Sequence, residues 1–109
     1  MSLWEERAGR NEALFREVNE RIAELGTDGE PASSAGFVCE CSREDCTEQI
    51  QVPLAVYQTV RADSRRFLLR PGHEIDGLEV VVVERSAGYV VVEKDGVAGR
   101  IADRTDPRA

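Results

Sequence analysis

Three cysteines fall within eight positions of one another, in the run FVCECSREDCT from Phe37 to Thr47, and they are the only cysteines of the chain. The spacing is Cys39-x-Cys41-x4-Cys46, and the sole histidine, His73, follows after 26 further residues. Unpaired structural cysteines prefer burial, so three of them among hydrophilic neighbours are poorly explained as packing. Three thiolates and one imidazole match the ligand set of a closed tetrahedral zinc site. Borderline-soft zinc favours sulfur and nitrogen over the carboxylates nearby. Cys-x-Cys is a less diagnostic spacing than Cys-x2-Cys, and the histidine lies outside the cluster. If His73 is instead an ordinary loop residue, Glu74, Glu44 or a water completes the shell.

Size makes a metal staple useful. The chain has 109 residues, enough for one domain. Without its first helix and loops it leaves about 60 core residues, where an apolar core alone is marginal. A structural zinc contributes on the order of 10–16 kcal/mol of apparent binding free energy. No apolar run approaches the roughly 20 residues that span a bilayer, and MSLWEERAGR has no apolar h-region. These features predict a cytoplasmic protein, where thiols stay reduced, and an odd cysteine count agrees.

Hydrophobic periodicity supplies the elements. Trp4, Ala8, Asn11, Phe15, Val18, Ile22 and Leu25 alternate spacings of four and three, which predicts a helix over residues 1–25 with one apolar stripe. Glu6–Arg10, Glu12–Arg16 and Glu17–Arg21 read as i, i+4 surface pairs flanking it. The stripe is either docked on the chain's own core or a short coiled-coil seam, and Ala8 and Asn11 weaken the seam. Residues 26–36, GTDGEPASSAG, read as a flexible linker. Phe37, Cys39 and Cys41 share one face of a short strand, and a second strand follows Cys46. The thiols thus sit on a zinc-knuckle β-hairpin. Pro53 suits a first helical position, opening a helix through about Ala62. Phe67 to Leu69 is a last helical turn or a short strand. Leu78–Glu84 and Tyr89–Lys94 form a β-hairpin, and Val97–Ile101 reads as a third short strand turned by Asp95-Gly96. Valines on both faces of the hairpin require cover on both sides. The prediction is therefore α+β: a helical arm at 1–25, a linker at 26–36, a zinc-stabilised domain at 37–101 and a disordered tail at 102–109.

The run FVCECSREDCTEQI, followed by VYQTVRADSRRF and RPGHE, resembles a family of small uncharacterised bacterial zinc-knuckle proteins common among high-GC Gram-positives. The resemblance runs from RNEALFREVNERI to YVVVEK, about 80% of the chain. It implies a metal site built from Cys39, Cys41, Cys46 and His73. It departs at Val52-Pro53, where the pattern calls for a threonine ahead of the second helix, which touches capping and not ligation. The family carries no established activity.

Charge narrows the partners. A net charge of −7 argues against a general nucleic-acid binder. The one basic island, Arg61, Arg65, Arg66 and Arg70, reads as a solvated helix-end face. No Gly-rich phosphate loop is present, and no nucleophile–base pair remains once the metal claims His73. The favoured function is a small intracellular zinc-binding protein with a structural Cys/His site, not an enzyme, acting as a protein–protein interaction or regulatory module. It is expected to bind a protein partner and no membrane, and to be monomeric sooner than dimeric. The alternatives are a zinc-dependent hydrolase or deaminase-like enzyme, with Glu74, Glu44 or Glu48 as proton shuttle, and a nucleic-acid-binding zinc knuckle. The deaminase signature of H-x-E with P-C-x-x-C is absent. An iron–sulfur cluster is less favoured, because the spacing matches no cluster motif.

Overall fold

The computed structural model describes residues 3–26, 30, 32–41, 46, 48–73 and 80–108, with the side chains of the first helix described from Glu12 onward. The fold is α+β. In chain order come α1 (Leu3–Gly26), β1 (Ser34–Val38), β2 (Gln49–Pro53), α2 (Leu54–Arg61), β3 (Arg66–Leu69), β4 (Val80–Arg85), β5 (Val90–Lys94) and α3 (Gly96–Arg104). β1 and β2 form an antiparallel pair, and β3, β5 and β4 form a second antiparallel sheet in the order β3-β5-β4.

The thiol hairpin forms as its alternation predicts. β1 pairs with β2 in the register Phe37↔Ile50 and Val38↔Gln49, and the Cys39 N–H extends the ladder to the Glu48 carbonyl at 3.0 Å. Phe37 and Ile50 point into the core with Val52. The Phe37 ring stacks on Tyr57 of α2, with centroids 4.4 Å apart and planes 7° from parallel. Pro53 ends β2 with φ −62° and sits in the N-cap position of α2, one residue before the helix starts. Phe67–Leu69 resolves as strand, because Phe67, Leu68 and Leu69 pair with Val92, Val91 and Val90.

The C-terminal segment departs from expectation. Residues 97–101 are helical, not a third strand, and Ala102–Arg104 complete α3 where a disordered tail was expected. Two glycines lower helix propensity here, but one of them is needed. A Cβ at Gly99 would lie 2.7 Å from the Lys94 carbonyl oxygen, so the helix approaches the end of β5 closely only because that atom is missing. Beyond the helix, Arg61 pairs with Asp106, and Arg108 donates to Glu20 at 2.7 Å.

α3 packs on β5 while α2 packs on β3, and Val90, Val91 and Val92 are all buried. The cover stops short of the sheet edge, however. On edge strand β4, Val81 and Val83 remain 48% and 40% exposed.

α1 lies against β1 and α3, so the expected arm is docked on the body. Its inward line is Glu12, Arg16, Asn19 and Ala23, spaced four, three and four. Phe15 and Ile22 are half-buried, whereas Leu14, Val18 and Leu25 are 54%, 38% and 76% exposed. The helix therefore docks through what read as a charged flank. Glu12 and Arg16 are not a surface pair. Glu12 accepts from Lys94 Nζ at 2.5 Å, and the Arg16 guanidinium donates to the Ser64 and Ala102 carbonyls at 2.6 and 2.8 Å. It also lies 4.4 Å from the Phe67 ring centroid, a cation–π contact strengthened by burial. The Arg16 to Ala102 bond caps the end of α3 from another helix. The side chains of Trp4, Glu6, Ala8, Arg10 and Asn11 are not described, and residues 27–29 and 31 of the linker lie outside the described residues. Ser34–Gly36 of that linker belong to β1.

Candidate metal centre

Two hairpin ends and one turn converge on the thiols. Cys39 and Cys41 follow β1, Cys46 precedes β2, and His73 comes from the turn after β3. That turn depends on Gly72, whose φ of +88° is left-handed and which has open space around its Cα. Conformation, not crowding, selects glycine there. The His73 N–H then donates to the Arg70 carbonyl at 3.1 Å, closing the turn.

The outcome is a four-residue cluster. One donor atom from each of Cys39, Cys41, Cys46 and His73 lies within 4.8 Å of the others. His73 Nδ1 stands 3.5 Å from both Cys39 Sγ and Cys46 Sγ. A zinc tetrahedron with bonds of about 2.3 Å to sulfur and about 2.0 Å to nitrogen has S–N edges of about 3.5 Å. The imidazole is thus already at the edge length of a closed four-coordinate site. Sequence spacing and geometry select the same four residues. Glu44 and Glu74, the alternative ligands or proton shuttles, lie outside the described residues. Glu48 is exposed, 4.0 Å from Arg70 Nε.

The cluster disfavours bare thiolates. Sharing a hydrogen bond with Cys41, together with burial, pushes the Cys39 thiol well above the ordinary thiol range. Burial also raises Cys46. Thiolates crowded this closely repel one another, and a divalent cation removes that cost by accepting all three. One backbone donor is already aimed at sulfur: the Arg70 N–H reaches Cys39 Sγ at 3.2 Å, an outer contact of the kind that tunes metal thiolates.

Two residues that sequence reasoning passed over support the site. Glu40, between the first two cysteines, is fully buried. Its N–H donates to the Leu68 carbonyl at 2.8 Å, and its Oε1 accepts from the Leu68 N–H at 2.9 Å. Its Oε2 accepts from Asn19 Nδ2 at 2.8 Å. Burial pushes this carboxyl up to about 7 despite those donors. Asn19 completes a clamp on Val38, two residues before Glu40, with Nδ2 to the Val38 carbonyl at 2.9 Å and the Val38 N–H to Oδ1 at 2.7 Å. The one available signal was a carboxylate inside the otherwise core-directed run FVCEC, which demands buried partners.

The arginine island is internally committed. Arg61 is buried and bonded to Glu20 at 3.1 Å as well as to Asp106, so it does not belong to a solvated face. Arg65 pairs with Asp103 at 2.9 Å and Arg66 with Glu93 at 3.1 Å. Among the described residues, no helix is long and apolar enough to cross a membrane. No family model, curated protein or solved structure matches the chain.

Proposed function

We propose that Cys39, Cys41, Cys46 and His73 bind one Zn2+ as a structural centre in a small interaction or regulatory protein. The observation that carries this reading is His73 Nδ1 at 3.5 Å from two thiol sulfurs, brought there by a turn that requires glycine. Four soft donors leave no open coordination position for substrate or water, which supports a staple over a hydrolase. The resemblance to bacterial zinc-knuckle proteins points the same way. Exposed Leu14, Val18 and Leu25 on α1, with Val81 and Val83 on β4, supply apolar surface for a protein partner. The nucleic-acid reading is weakened by the carboxylates that occupy Arg61, Arg65 and Arg66.

Metal analysis and melting of paired variants test the assignment. Cys41→Ser is expected to lose zinc and the cooperative transition together, whereas His73→Cys retains the metal because the shell stays four-coordinate and soft. Full zinc content and an unchanged melt in Cys41→Ser would remove that ligand from the site.

A further inference from the structure

We infer that the metal centre and the docking of α1 are coupled, so that zinc occupancy governs whether this helix stays on the body. The inference rests on the zinc reading above and concerns its regulation.

Asn19 is the link. It is fully buried, and the three hydrogen bonds of its amide all end on Val38 and Glu40. Those residues flank Cys39. A metal that fixes Cys39 and Cys41 therefore fixes the donors and acceptors to which Asn19 must fit. Without the metal the Cys39–Cys41 segment loses that anchor and keeps the Cys39 bond to Glu48 and the two Glu40–Leu68 bonds, and a hydrogen bond to Asn19 is lost with a small change of distance or angle.

The rest of the α1 seam does not compensate for such a shift. Of the buried residues Glu12, Arg16, Asn19 and Ala23, only Ala23 is apolar; half-buried Phe15 and Ile22 add apolar contact, Ile22 against the core, but the directional polar contacts set where the helix sits. Leu14 and Leu25 face outward, 54% and 76% exposed, and add little to the seam. A helix docked in this manner has two discrete states, seated with its Asn19 and Arg16 hydrogen bonds made or released, as a switch element requires. Linkage makes the effect reciprocal: whatever loosens α1 weakens zinc binding by the same factor.

Zinc itself is the probe, and the full chain is the sample. Zinc affinity is measured by chelator competition for the parent, for Asn19→Ala, and for Glu20→Gln. The last variant weakens α1 at a different contact, because Glu20 Oε1 serves Tyr57, Arg61 and Arg108. The coupling predicts roughly tenfold weaker zinc binding for Asn19→Ala, within the usual range of coupling energies, and a smaller loss for Glu20→Gln. Hydrogen exchange is followed in parallel, with EDTA removal of zinc expected to raise exchange in residues 12–25 before that in β5. Equal zinc affinity in all three proteins overturns the coupling, whatever chelation does to the remainder of the chain. A loss confined to Asn19→Ala also overturns it, reducing Asn19 to a local contact of the metal loop. If the parent binds no zinc, the site assignment itself fails and the inference falls with it.

Discussion

Strand β5 buries Val90, Val91 and Val92, whereas helix α1 turns Glu12, Arg16 and Asn19 inward and leaves Leu14, Val18 and Leu25 in water. Both elements sit on the same body, but different forces hold them. β5 is the central strand of its sheet, and its contribution grows with the apolar area it removes from water. α1 gains less from area, through Ala23 and half-buried Phe15 and Ile22. It is held by polar groups that would each be costly to bury without a partner, about 1–3 kcal/mol per unmatched group. Such a seam is specific in position, and it fails abruptly once one end is displaced. The proposed coupling of α1 to the metal centre draws on that property.

Substitutions along the two regions separate these mechanisms. The largest expected loss is at Arg16. Arg16→Leu keeps apolar contact with Phe67 but strips the Ser64 and Ala102 carbonyls of their donors. A destabilisation of about 3 kcal/mol is expected in chemical denaturation; a loss below about 1 kcal/mol would show that α1 is held by apolar burial after all. Gly99→Ala comes next, at about 2 kcal/mol, because the added methyl meets the Lys94 carbonyl and the Arg65 guanidinium at 2.7 and 2.8 Å. A neutral or stabilising outcome, as an ordinary helix-propensity gain would give, would mean that α3 does not approach β5 this closely. The smallest effect is at Leu25→Ser, which is 76% exposed and should stay within about 0.5 kcal/mol of the parent. A larger loss would place Leu25 in an interface within or between chains.

The same contrast explains what the sequence made legible. Cys39, Cys41, Cys46 and His73 could be selected from spacing and residue type, because ligand chemistry is carried by the residues themselves. The β4–β5 hairpin was legible from its valines for the same reason. The face on which α1 docks was not. Glu12 and Arg16 looked like a surface pair because they are one helical turn apart. The partners of Arg16 at Ser64 and Ala102 lie 48 and 86 residues away. α3 was missed because Asp95-Gly96 reads as a hairpin turn into a strand, and the reason for the glycine at 99 is a backbone atom of another element. Pairing rules based on local sequence see neither contact. Cover of the hairpin was overestimated likewise, since nothing in the valine pattern reveals that β4 is an edge strand.

The central claim is a closed site of three sulfurs and one nitrogen, and X-ray absorption at the zinc edge of protein purified without chelator tests it most directly. The account predicts one zinc per chain, with three sulfur neighbours at about 2.3 Å and one nitrogen at about 2.0 Å. A shell with a water or carboxylate oxygen replacing the imidazole, or fewer than three sulfurs, would contradict it.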